Sequence, residues 1–129
     1  MSIFTDKELD YLREQRLGRL ATVSGTGNPH VVPVGFRYNA AADAIDIGGR
    51  DLAHTDKWRQ ADRHPRVAFV VDDVLPPWQP RGIEIRAEAE LLENGGQDLG
   101  PGFGAAVMRL HPVRVIAWGI DGKRRTANR

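Results

Sequence analysis

Between Ile83 and Leu91 apolar and charged residues alternate without a break. Ile83, Ile85, Ala87, Ala89 and Leu91 share one face; Glu84, Arg86, Glu88 and Glu90 share the other. A period of two over nine residues fits a half-buried antiparallel strand and nothing else. Around it lie further short apolar runs separated by turn chemistry. Arg19 to Val23 is followed by Ser24-Gly25-Thr26-Gly27-Asn28-Pro29. His30 to Tyr38 turns at Asn39 to Asp43 into Ala44 to Ile47. Arg66 to Asp73 is apolar on both faces, and Val113 to Ile120 closes the series. Pro76-Pro77-Trp78-Gln79-Pro80 reads as an extended loop, and Asn94 to Gly104, with five glycines, as a mobile one.

Two helices break the pattern. Thr5 as N-cap with Glu8 three residues on forms a capping box, and Phe4 and Leu9 stand where a hydrophobic staple requires them. Gly18 is the expected end of this helix, so residues 1–18 are assigned to it. A second, Thr55 to Arg63, is stopped by His64-Pro65. Residues 121–129 read as a polar, solvated tail. Six strands, two helices and hairpin-length turns in 129 residues predict one domain, a six-stranded antiparallel barrel.

Composition removes several function classes. With no cysteine there is no disulfide, thiolate nucleophile or iron–sulfur ligand. The net charge of +1, from 18 basic and 17 acidic residues, is too even for a nucleic-acid coat. The first residues lack the basic and apolar regions of a signal peptide, and no run approaches the roughly 20 apolar residues of a membrane span. A cytoplasmic compartment is the expectation. The four histidines fall in no ligand spacing, so no metal site is expected, and no Ser-His-Asp set can be drawn. No catalytic acid or base stands out.

Gly48-Gly49-Arg50 ends a strand ahead of a helix. Successive glycines let backbone N–H groups converge on an anion, with His54, Thr55 and Lys57 following within one or two turns. The alternative is a tight turn before a capped, solvated helix. Pro33 lies inside a strand without a donor N–H, which marks an edge or a place where a ligand ring approaches. Trp78 and Arg81, in or beside the proline-rich stretch, can wall a pocket or pack a dimer. Trp118 reads as core or interface, and Trp58, His30 and His111 have no assigned role.

The order of these landmarks resembles a known family. Leu17-Gly18-Arg19-Leu20-Ala21-Thr22-Val23 followed by Gly27-Asn28-Pro29-His30-Val31-Val32-Pro33-Val34 is similar to the opening hairpin of the pyridoxamine-phosphate-oxidase-like split β-barrels. Lys57 through Pro65-Arg66-Val67-Ala68 resembles their helix-to-strand segment. Asp72-Asp73, Arg81-Gly82-Ile83-Glu84-Ile85 and His111 to Ile120 resemble the branch that uses the deazaflavin coenzyme F420.

The resemblance implies a homodimer with shared cofactor sites at its interface and hydride transfer to a small unsaturated molecule. It implies cofactor contacts at Pro33, Gly48, Gly49, Arg50, His54, Thr55, Lys57, Trp78 and Arg81. Flavin mononucleotide (FMN) is the alternative cofactor, and a non-catalytic ligand binder the alternative role. The strand Ala44 to Ile47 has basic residues only after it, whereas the flavin-phosphate motif of the family has them at both ends. Deazaflavin, whose tail carries spread anionic groups, matches the scatter of Arg50, Lys57, Arg59, Arg63 and Arg81 better.

Overall fold

The computed structural model describes all 129 residues, Met1–Arg129. Seven strands form: β1 (Leu17–Val23), β2 (Pro29–Asn39), β3 (Ala44–Ile47), β4 (Arg66–Leu75), β5 (Gln79–Leu92), β6 (Val107–Trp118) and β7 (Arg125–Asn128). Two helices, α1 (Asp6–Glu14) and α2 (Asp56–Arg63), complete the chain with two short 3-10 turns. The hydrogen-bonded order is β3-β2-β1-β4-β5-β6-β7, and β3 also pairs with β6. That last ladder closes six strands into the antiparallel barrel expected from the sequence, and β7 lies outside it.

Alternation does the folding. Leu20, Phe69, Val71, Ile83, Ile85, Met108 and Leu110 point inward and are sealed from solvent. Each such side chain removes apolar surface worth about 1.5–3 kcal/mol. At the closing seam Asp46 on β3 meets Arg109 on β6, Nε to Oδ1 2.8 Å, and Asn39 donates to its other oxygen at 3.0 Å. The buried carboxylate is thus fully partnered where the barrel shuts.

The capping box forms: the Thr5 hydroxyl accepts from the Glu8 N–H, and the Glu8 carboxylate accepts from the Thr5 N–H. The helix ends at Glu14, however, and not at Gly18. Gly18 is a strand residue facing the core, where a Cβ would stand 2.1 Å from Phe69 Cζ. The glycine is there to admit a phenyl ring, not to stop a helix.

Four other expectations give way. Pro76 to Pro80 is not an extended loop: β4 runs to Leu75 and β5 begins at Gln79, leaving only Pro76-Pro77-Trp78 to turn. The last barrel strand starts at Val107 and passes through Pro112, whose missing N–H falls at the register shift opposite Arg86 and Ala87. The end of the chain is not a solvated tail. Arg125–Asn128 pairs with β6, and Arg125 reaches the buried Glu8. The stretch expected to be mobile holds a 3-10 turn, Gly96–Leu99, and is tied back by Gly96 N–H to Ala105 and Gly104 N–H to Gly49. No helix is long and apolar enough to cross a membrane.

Candidate functional site

β3 ends at Ile47 and hands the chain to Gly48, Gly49 and Arg50, then to a single 3-10 turn, Leu52–His54, and on to α2. Gly48 is buried because the glycine-rich stretch lies on it: a Cβ there would be 2.4 Å from Leu99 Cδ1 and 2.7 Å from Phe103 Cδ1. The Gly49 carbonyl accepts from the Gly104 N–H at 2.8 Å. One side of the turn is therefore closed by Leu99 and Phe103, and the chain from Arg50 onward carries the polar groups.

Those groups divide into engaged and free. Thr55 is the N-cap of α2: its hydroxyl donates to the Leu52 carbonyl at 2.7 Å and accepts from the Trp58 N–H at 3.3 Å. His54 Nδ1 lies 2.6 Å from Asp51 Oδ1. Arg59 is held by Asp56 and the His54 carbonyl. Arg50, next to the glycines, and Lys57, in the first turn of α2, form no ion pair.

Pro33 sits on the stretch of β2 that pairs with β1, opposite Arg19, while β3 takes up the other edge only from Phe36 onward. It is an edge-strand proline with free backbone groups beside it.

Trp78 stands at the tip of the β4–β5 hairpin with 75% of its surface exposed. Arg81, at the base of that hairpin, is already engaged. Its Nε and Nη2 donate to Asp73 at 2.8 and 2.7 Å, and its guanidinium lies 4.8 Å above the Tyr11 ring. Hydrogen bonding from Arg81 holds the Asp73 carboxyl below its ordinary range, and the same pairing raises Arg81. Burial, reinforced by the hydrogen bond to Asp73, pushes the Tyr11 hydroxyl well above its usual value.

The two halves of the expected site do not meet within one chain. Arg50, Leu52 and Ala53 line a depression beside Glu93, just past the end of β5, whereas Trp78 precedes its first residue. The 14 residues of β5 lie between them, roughly 46 Å of strand contour at about 3.3 Å per residue.

Sequence reasoning missed two features. One is the cluster of Tyr11, Gln15, Asp73 and Arg81. Placing the turn at Pro76-Pro77-Trp78 would have set Asp73 opposite Arg81, where the ladder has them. The other is the outward face of β1, which joins the two-faced apolar strand β4 in a surface that is apolar where an antiparallel sheet usually meets water. Ala21 and Val23 of β1, Ala68 of β4 and Val113 of β6 line a groove of about 530 Å³ flanked by Arg66, Arg86 and Glu88. The groove lies against the middle of β5.

The comparisons with known proteins agree with this architecture. A family model described as pyridoxamine 5'-phosphate oxidase matches residues 4–118. A 5a,11a-dehydrotetracycline/5a,11a-dehydrooxytetracycline reductase of Streptomyces rimosus is 44% identical over 121 residues, 92% of this chain and 85% of the relative. Among solved structures, a conserved hypothetical protein of Mycobacterium tuberculosis superposes with TM-score 0.74 at 20% identity, covering 92% of this chain and 86% of that one. An FAD-binding protein of Mesorhizobium loti superposes with TM-score 0.69 at 18% identity, covering 97% and 96%. The chain belongs to the pyridoxamine 5'-phosphate oxidase family, an oxidoreductase family built on the split β-barrel.

Proposed function

We propose that the protein is a reductase dependent on coenzyme F420, acting as a homodimer on a small conjugated substrate of the kind the Streptomyces rimosus relative reduces. The observation that carries the reading is that relative, a reductase by name, aligned at 44% identity over 92% of this chain. When bound, the reduced deazaflavin supplies a hydride to the electron-poor carbon of a C=C bond, and solvent supplies the proton.

The protein's part is binding and orientation. Arg50 and Lys57, free of ion pairs, suit a phosphodiester and carboxylate tail, which needs separated cations. Gly49 and the amides after it offer backbone donors, and Thr55 serves by fixing the helix that carries Lys57. Pro33 marks a strand edge at which a ring's polar rim can find unpaired backbone groups. A second copy is required for Trp78 to border the same cofactor, because β5 separates it from the glycine turn in its own chain.

The test is a titration of purified protein with F420 and with FMN, followed by turnover of 5a,11a-dehydrotetracycline with the reduced cofactor. Tighter binding of F420, weakening as salt rises, with loss of the substrate double bond, is the expected result. Stoichiometric FMN in the purified protein would replace the cofactor assignment. Binding without turnover of any conjugated substrate would make the protein a carrier.

A further inference from the structure

The geometry points to Phe103 as a cofactor-contacting residue that closes one end of the ring site and seats the flat ring of the bound cofactor. The inference rests on the cofactor reading above and adds to it a side chain of the β5–β6 connection.

The β2–β3 ladder stops at Phe36 opposite Ile47. If the register continued, Gly35 and Gly48 would face each other next, and neither has a side chain. Gly35 belongs to the outward face of β2, because its register partner is the exposed Leu17 while the adjacent Val34 is buried. The Phe103 ring fills the space that the two glycines leave. A Cβ on Gly48 would stand 2.7 Å from Phe103 Cδ1, and one on Gly35 would stand 3.7 Å from Phe103 Cζ.

The backbone prescribes that position. The Gly104 N–H donates to the Gly49 carbonyl at 2.8 Å, and the Phe103 N–H donates to the Gly100 carbonyl at 3.3 Å. Arg37 Nη1 donates to the Asp98 carbonyl at 2.8 Å, which ties the connection to β2 as well. Yet the ring is not there to complete the barrel. Phe103 is only half-buried, and it belongs neither to the core nor to the apolar residues packed on that core. Folding therefore leaves part of an aromatic surface unused.

What lies on either side of Phe103 decides what the free surface meets. Two residues from Gly35 on the same outward face is Pro33, and beyond it Val31, 67% exposed. Over this stretch β2 pairs only with β1. In the other direction the chain passes through Gly49 and Arg50 toward Lys57. Phe103 thus stands at the corner between an apolar strand edge, which suits a flat ring, and the glycine turn, which suits a phosphate. A ring lying along Pro33 and Val31, with its chain descending to that turn, meets Phe103 at the corner. Aromatic rings associate favourably there in offset or edge-to-face contact.

The test compares F420 with its deazariboflavin fragment, which keeps the ring and lacks the phosphate and tail. In fluorescence titrations Phe103→Ala should weaken both ligands by a similar factor, about three- to tenfold. Lys57→Ala should weaken F420 alone. Phe103→Tyr should bind both nearly as wild type does. Phe103→Leu keeps an apolar cover on Gly48 without an aromatic ring, and it should be as weak as Phe103→Ala. Thermal melts without cofactor check that each variant is folded.

A loss confined to F420, with the fragment unaffected, would mean that Phe103 only props the glycine turn, and the inference fails. Phe103→Leu binding as tightly as wild type overturns the aromatic contact in the same way. Should the wild type take FMN and not F420, the cofactor assignment falls by itself, and FMN with riboflavin puts Phe103 to the same comparison. A wild type that binds none of the four ligands removes the ring site and overturns both readings.

Discussion

Glu8 and Arg125, 117 residues apart, form a bidentate pair across the end of the barrel, with Arg125 Nη2 2.6 Å from Glu8 Oε1 and Nε 2.7 Å from Oε2. Glu8 is 2% exposed and also closes the capping box of α1. The same guanidinium donates to the Ile3 carbonyl at 2.7 Å. One arginine thus ties β7 to the start of the first helix. Arg125→Ala leaves a buried carboxylate without its cation and should cost about 3 kcal/mol in urea unfolding. Glu8→Gln in addition should recover part of the loss, because the stranded charge is gone. Equal stability of wild type and Arg125→Ala would mean that water replaces the guanidinium freely.

Gly18 offers a packing test. Its α-carbon faces Phe69, which is almost wholly buried, and a methyl group would overlap the ring. Gly18→Ala should destabilise by about 1–3 kcal/mol through overpacking. Phe69→Leu alone removes contacts, but paired with Gly18→Ala it makes room, so the two losses should add to less than their sum. Strict additivity in thermal melts would show that the ring moves aside without cost.

These residues show what a sequence can and cannot disclose. The period-two stretch from Ile83 to Leu91 is legible because each residue independently votes for one face. The capping box is legible because all its partners lie within four residues. Glu8 with Arg125 and Asp73 with Arg81 depend on where strands end, and turn placement decides that. Prolines at 76, 77 and 80 suggest a loop, yet only three residues turn, since Pro80 sits in an outer pair of an edge-like hairpin end. Gly18 reads equally well as a helix stop and as a slot for a ring, and only the partner across the barrel decides. At the candidate site, Arg50 and Lys57 form no ion pair, whereas Thr55 and Arg81 are committed to structure. Composition carries no record of which polar groups find partners.

Asp73 also predicts a response to acid. Hydrogen bonds from Arg81 depress its folded-state pKa, so the unfolded chain binds a proton at higher pH than the folded one. Such a group adds stability that is complete above the unfolded carboxylate pKa, about 3.9, and is lost as pH falls through the lower folded value. The stability curve of Asp73→Asn should therefore lie below wild type near neutrality and converge on it in the acid limb. Parallel curves from pH 7 to pH 2 would assign the acid transition to other carboxylates.

Lys57 gives the sharpest test of the cofactor site. It lies in the first turn of α2, after the cap made by Thr55, and is half-buried with no carboxylate partner. Such a lysine is either an ordinary helix residue or a ligand for an anion held near the glycine turn. Losing a charge-assisted hydrogen bond costs about 1.5–3 kcal/mol. Lys57→Ala should therefore weaken F420 binding on the order of ten- to a hundredfold. It should leave the melting temperature of the cofactor-free protein nearly unchanged, because no internal ion pair is broken. Lys7→Ala is the control. That lysine meets only the exposed Asp121, at 3.2 Å, and should alter neither quantity. Isothermal titration of the three proteins at two salt concentrations decides the matter. A Lys57→Ala variant that binds F420 as tightly as wild type, with the same salt dependence, would remove this lysine from the site and leave Arg50 as the cation to test next.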